Sequence, residues 1–385
     1  MSEVKFDQKL LNPAPREEKK AREKLIHITK RMDTSLKFKV IVRAISILAA
    51  LLVCALILNI FSPGNFFDFY SESFNALVGS KNKFLNTLYE FTLLLGISIA
   101  ILPAFKMKFW NLGGEGQVLA GALVAALVSK FIGPNVNDFV CTLLMIIGAM
   151  LGGALWAFIP AFFKAKFDTN ETLFTLMMNY VAMGFIVFFA FIVNPDHGNF
   201  SDLTHGTFNF TGNGTSLFTI IPFIIVILMT AFMYVYTNYT KHGYELTVVG
   251  ETRNTAKYVG IDVGKVIIRT VILCGILCGI IGYFTVAKQK SISETILNGR
   301  GFTAVMIAWL GHMNVVEIII MAFLVAFITR GSGQVATQLD LNTSFTKISI
   351  AIFLITILAF EFFLNYEVHI NKNFFKKNKE KEVNE

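Results

Sequence analysis

The 385-residue chain is 54% hydrophobic and only 16% charged, whereas soluble domains carry about 25% charged residues. With a mean hydropathy of +0.60, it reads as an all-α integral membrane protein and not as a soluble domain. The net charge of +8 does not imply nucleic-acid binding, because the positive charge gathers at the two ends of the chain.

Lys5, Lys9, Arg16, Lys19, Lys20, Arg22, Lys24, Lys30, Arg31 and Lys37 precede the first apolar run, and Lys372, Lys376, Lys377, Lys379 and Lys381 follow the last. The positive-inside rule then predicts cytoplasmic termini. Residues 1–37 are too polar for a secretory signal and are expected as a basic cytoplasmic tail, with 38–366 as a membrane domain and 367–385 as a second tail. Runs of about 18 or more apolar residues suffice to cross the hydrocarbon core. Nine are predicted, at Val40–Phe61, Leu88–Phe105, Gln117–Ile132, Phe139–Phe163, Thr172–Val193, Leu217–Tyr236, Val266–Val286, Val315–Thr329 and Ile348–Phe363. Two cytoplasmic ends require an even number, so the short stretch Thr303–Leu310 is expected as a half-helix or re-entrant element, giving a bundle of about nine or ten helices.

The loops fit this alternation as far as Val286. Asn194–Ser216 has no Lys or Arg and suits the outside, while Lys106, Lys108, Lys164, Lys166 and the long segment 237–265 suit the inside. Beyond it, Lys288, Lys290 and Arg300 fall on the outer side. Gly148 with Gly152, and Gly275 with Gly279, form small-residue pairs that let helices approach closely, within the bundle or at a subunit interface. Cys54, Cys141, Cys274 and Cys278 lie in apolar runs, where thiols pack as small hydrophobes.

Polar residues at membrane depth ask for a partner or a purpose, and three clusters qualify. In the first, Trp110-Asn111-Leu112-Gly113-Gly114-Glu115-Gly116-Gln117, glycines allow a bend while Asn111, Glu115 and Gln117 either bond freed backbone groups or face a solute. In the second, Asn170 suits a helix N-cap with Glu171 in the first turn, whereas Asn179, two turns inside, either bonds a facing helix or lines a polar path beside Tyr180. The third, Lys241–Ile261, is long for an inert connection. Asn254–Tyr258 is expected as a short helix between Gly250 and Gly260, presenting Arg253 and Lys257 on one side.

The string Asn111-Leu112-Gly113-Gly114-Glu115-Gly116-Gln117, the stretch Glu171 to Tyr180 and the segment Gly243 to Ile261 resemble motifs of the permease family of ABC importers for nucleosides and simple sugars. Gly114 stands where that family usually has alanine. Within it the chain is most similar to the larger nucleoside permease subunit. The resemblance implies a second related permease, a cytoplasmic ATPase, an extracytoplasmic solute-binding lipoprotein and a membrane-lipid setting. It also implies that Gly250, Arg253, Asn254, Ala256, Lys257, Tyr258, Gly260 and Ile261 form the ATPase coupling segment. Trp110, Asn111, Glu115, Gln117, Asn179 and Tyr180 are the candidate solute path, with aromatic stacking from Trp110 and Tyr180.

No G-x4-G-K-[ST] motif is present, so this chain is expected to bind no ATP or other cofactor and to draw energy from its partner. No catalytic motif points to an enzyme. The alternatives are a ribose-like sugar permease and an ion-coupled secondary transporter. The latter needs midspan carboxylates, whereas Glu90, Glu317 and Glu361 are expected near span ends.

Overall fold

The computed structural model describes residues 26–31, 35–194, 200–201, 203–207 and 217–370. The tails at 1–25 and 371–385, and much of the loop expected outside, lie beyond the described residues. The elements in chain order are β1 (Ile26–Lys30), α1 (Leu36–Phe61), α2 (Asp68–Val78), α3 (Lys81–Lys106), α4 (Gly114–Phe131), α5 (Asp138–Phe167), α6 (Glu171–Val193), α7 (Leu217–Tyr239), α8 (Lys241–Glu251), α9 (Arg253–Tyr258), α10 (Val263–Gln289), α11 (Arg300–Leu310), α12 (Val315–Gln338), α13 (Ser344–Asn365) and β2 (Tyr366–Ile370).

The described residues before Leu51 and after Leu354 form one compact unit, and Leu51–Leu354 the other. In the first, β1 and β2 pair antiparallel, with Ile26 opposite Ile370 and Lys30 opposite Tyr366. This ribbon joins the segments that flank the first and last spans, so both lie on one side and the number of crossings is even.

Among the described residues, α1, α3, α5, α6, α7, α10, α12 and α13 are the eight helices long and apolar enough to cross a membrane. Each matches an expected span. The remaining expected span is α4, shorter at 18 residues and opening on Glu115 and Gln117. Helix α3 is buried along nearly its whole length, whereas α6 buries only Thr175, Asn179, Ala182, Ile186 and Ala190. That spacing is one stripe of a 3.6-residue period. Its opposite face, with Leu173, Met177, Phe188 and Phe191, is exposed.

Helix ends separate onto two faces. On one, Leu203 N–H donates to the Lys290 carbonyl at 3.0 Å and Phe200 pairs with Ile292. There too Ser129 Oγ donates to the His205 carbonyl at 2.7 Å. On the other, Lys106 Nζ donates to Asn238 Oδ1 at 3.2 Å and Arg253 Nη1 to Asp168 Oδ1 at 2.9 Å. These are the His205 face and the α8–α9 face.

The tenth candidate crossing is broken in two. From Ile292 on the His205 face, a non-helical segment reaches the interior at Gly299, where α11 begins. Arg300 meets Glu90 of α3 and Ala304 meets Ser98, two turns further on, so α11 runs parallel to α3 toward the α8–α9 face. Among the described residues, the eight long apolar helices are candidate spans, and α4 and this broken segment are two further, shorter candidates.

The expected small-residue pairs pack within the chain's own bundle. A Cβ on Gly275 would lie 2.3 Å from the Gly153 carbonyl oxygen, and one on Gly279 2.1 Å from that of Ala149, so α5 and α10 touch backbone to backbone. Gly152 likewise admits Val124 of α4. All four cysteines are buried and free.

Candidate functional site

The approach to α4 is bent, and its freed backbone groups find partners on α6. Asn179 Oδ1 accepts from Gly116 N–H at 2.8 Å while its Nδ2 donates to the Leu112 carbonyl at 2.9 Å. Thr175 Oγ1 accepts from Leu112 N–H at 3.1 Å. Asn111 Oδ1 accepts from Gly113 N–H at 3.0 Å and from Gln117 Nε2 at 3.2 Å. Irregular backbone at membrane depth persists where protein satisfies it; Asn179 makes the bond to a facing helix, and Asn111 bonds the freed backbone of its own bend. Trp110 and Tyr180 do not join it. Trp110 is half-exposed against Phe105, and Tyr180 lies on the outward face of α6. Trp156, which no motif singled out, brings its indole nitrogen to this bend. A Cβ on Gly116 would lie 3.1 Å from Nε1. Trp156 Nε1, Asn111 Nδ2 and Gln117 Oε1 are buried and have no hydrogen-bond partner among the described residues.

Glu115 turns the other way, toward α11. Its Oε1 accepts from Gly299 N–H at 3.1 Å and its Oε2 from Gly301 N–H, so a carboxylate sits on the N-terminus of the half-helix, where the dipole favours an anion. A Cβ on Gly301 would lie 2.6 Å from the Glu115 backbone nitrogen, so only glycine admits this approach. Beside it Arg300 grips Glu90 through two bonds, Nε to Oε1 at 2.6 Å and Nη2 to Oε2 at 2.9 Å. Both expectations for these residues are corrected. Glu90 is buried nine residues inside α3 rather than near a span end, and Arg300 lies in the interior rather than outside, because each neutralises the other. Glu90 is thus a midspan carboxylate with both oxygens already bonded.

A cleft of about 490 Å³ opens beside this junction. Glu115, Glu294, Thr295, Asn298, Phe302, Thr303 and Lys347 supply its polar and aromatic lining, and Met183, Met306, Ile350, Ala351 and Leu354 its apolar walls. Of the six candidate path residues, Glu115 alone is among these. Asn298 and Lys347 carried no sequence signal, since neither belongs to a local motif.

The coupling candidates form a ledge whose Arg253, Asn254, Lys257, Tyr258 and Gly260 are exposed while Gly250 and Ala256 are buried. Helix α9 covers the expected Asn254–Tyr258, and α8 precedes it, capped by Thr240 Oγ1 accepting from Gly243 N–H at 3.2 Å. Ala256 is fully buried among Ala157, Ala161, Val263 and Ile267, and Ile261 packs on the same cluster. Gly250 sits where a Cβ would be 2.3 Å from the Lys106 carbonyl oxygen. Gly260 has φ +83° and turns the chain into α10. Asn254, Lys257 and Val259 point outward, and Tyr258 is 97% exposed.

Arg253 does not share that freedom, since it is paired with Asp168. Hydrogen bonds from Lys164 and then Arg253 hold the Asp168 carboxyl down at about 2. Its stabilising contribution is therefore present above the unfolded value and lost only as pH falls through about 2. Proximity of Arg253 to Asp168, followed by cross-linking, is expected to stay constant from pH 8 to pH 5.

Among the described residues no group of three His, Cys, Asp or Glu is placed to hold a metal.

The family described as branched-chain amino acid transport system / permease component matches residues 83–360. The chain belongs to this family and is an ABC transporter permease, a multi-span helical membrane protein. It is 26% identical over 302 residues to the guanosine ABC transporter permease protein of Bacillus subtilis, covering 75% of this chain and 85% of that one. Against the nucleoside ABC transporter permease protein of Lactococcus lactis it is 27% identical over 307 residues, 76% and 84% of the two chains. The glucose ABC transporter permease protein of Haloferax volcanii is 26% identical over 325 residues, 79% and 83%. No solved structure gives a significant match.

Proposed function

We propose that the chain is a non-catalytic permease subunit of an ABC importer that moves a nucleoside across the cytoplasmic membrane by alternating access. The observation that carries this reading is the cleft of about 490 Å³, within the range of about 300–1,000 Å³ usual for small-molecule sites. Phe302 offers a ring for a base, and Asn298, Thr295 and Thr303 offer hydrogen-bonding groups for a base edge and ribose hydroxyls. Asn111, Gln117 and Asn179 support the α4–α6 wall behind Glu115, and Trp110 and Tyr180 face outward toward neighbouring subunits or lipid. Relatives named for guanosine and for nucleosides support this solute class.

A ribose-like sugar is the second reading, favoured by the hydroxyl-binding lining and by the relative named for glucose. Stacking separates the two. Phe302→Ala removes an aromatic contact worth about 0.5–1.5 kcal/mol, so the half-saturating nucleoside concentration is expected to rise up to about tenfold. Transport measured with labelled nucleoside and labelled ribose checks this; an unchanged nucleoside constant rejects Phe302 as a solute contact.

In this reading the α8–α9 face is cytoplasmic, as are both termini, and α9 docks on a separate ATPase that binds the ATP. This chain binds no cofactor or nucleic acid. A second, related permease stands beside it, and an extracytoplasmic lipoprotein delivers the solute to the His205 face. Tyr258, exposed and aromatic, has the character of an interface anchor, whose truncation costs about 2 kcal/mol or more. Tyr258→Ala is expected to weaken ATPase capture by about thirtyfold without lowering membrane abundance. Capture at native strength would remove Tyr258 from the contact.

A further inference from the structure

Four charged side chains join the exposed α9 to the first turn of α6. Lys164, nine-tenths buried at the end of α5, places Nζ 2.8 Å from Glu171 Oε2 and 2.7 Å from Asp168 Oδ1. Asp168 in turn accepts from Arg253 Nη1 at 2.9 Å. The order Glu171, Lys164, Asp168, Arg253 alternates in sign, so each inner member is held by two opposite charges.

Isolated exposed pairs contribute only about 0–1 kcal/mol, so stability alone is a small return for this arrangement. Its connectivity has more to offer. Asp168 closes α5 in a left-handed conformation, φ 48°, which makes the α5–α6 turn tight and lets displacement of Asp168 bear directly on Glu171. From Glu171, two turns of α6 lead to Asn179, which holds Gly116 and Leu112. One further turn leads to Met183 in the cleft wall.

We infer that Asp168 and Lys164 are positioning residues for transport, passing movement of α9 through Glu171 into α6 and so to the Met183 wall of the cleft. This rests on the reading of α9 as the ATPase contact. Movement of one packed element against another is transmitted when the link between them is stiff. A buried lysine held by two carboxylates is a stiff link.

The test uses the full transporter, both permeases with their ATPase, reconstituted in vesicles and supplied with a labelled purine nucleoside. Asp168→Asn is expected to leave ATPase capture and ATP hydrolysis near native while nucleoside moved per ATP falls at least fivefold, and Arg253→Gln, on the docking helix itself, is expected to lower the same ratio at least fivefold whatever its effect on capture. Arg253→Lys, which keeps the charge, is expected to retain at least half the native ratio. A merely structural ion pair would lower abundance and melting temperature and leave the ratio alone. Arg253 is exposed, so its Gln variant provides the ratio even where Asp168→Asn accumulates poorly. A native ratio in Arg253→Gln overturns the inference. Failure of the native chain to capture an ATPase would instead overturn the underlying reading, and the two results are distinct.

Discussion

Glu90→Leu is expected to destabilise the protein by about 3 kcal/mol, the lower end for breaking a buried pair, because it leaves the part-buried Arg300 guanidinium without its counter-charge. The pair is bidentate, with bonds of 2.6 and 2.9 Å, and Glu90 is 3% exposed. Arg300 stands at the N-terminus of α11, so the unpaired charge would draw the half-helix away from α3 and release its seat on Glu115. Against a total stability of about 5–15 kcal/mol, membrane abundance should fall. Replacing both members together is expected to restore abundance substantially, since an apolar pair of similar volume often matches a buried ion pair. Melting in detergent and membrane abundance of the single and double variants check this. Equal damage in both would mean that the pair does not act as a unit.

Gly279→Ala carries the second large effect. The added methyl carbon would stand 2.1 Å from the Ala149 carbonyl oxygen and 2.8 Å from its carbon, both backbone atoms of α5. A side chain would rotate aside, but two helix backbones in contact must separate. Overpacking of this kind costs about 1–3 kcal/mol, and the rigid neighbour argues for the upper end. Gly184→Ala is the control, because nothing lies within 4 Å of a Cβ there. A fall in melting temperature confined to the Gly279 variant is the expected outcome. Equal melting of the two would show that α5 and α10 do not touch through their glycines.

What the sequence made legible was local. Apolar runs marked the spans, Asn170 announced the start of α6 and does accept from Leu173 N–H at 3.1 Å, and Gly250 and Gly260 bracketed α9. Glycines four apart foretold close packing, although not which helices would meet. The broken crossing at α11 was legible only as a leftover apolar stretch, since its seat is Glu115, far earlier in the chain. Glu90 and Arg300 are separated by 210 residues, so neither could name the other. The cleft draws on Glu115 of α4, α6, the turn before α11, α11 itself and α13, and no single motif spans them. Arg253 and Lys257 are both exposed on α9, as their spacing led one to expect, but the pairing of Arg253 with Asp168, 85 residues away, had no local signal.

The most direct measurement is ATP-driven uptake of labelled nucleoside and labelled ribose into vesicles holding this chain with its second permease, ATPase and binding lipoprotein. Saturable nucleoside accumulation that requires ATP and this chain, with ribose excluded, is the predicted result. Ribose accumulation in its place would move the solute to the sugar class, and uptake driven by an ion gradient without ATP would contradict the account.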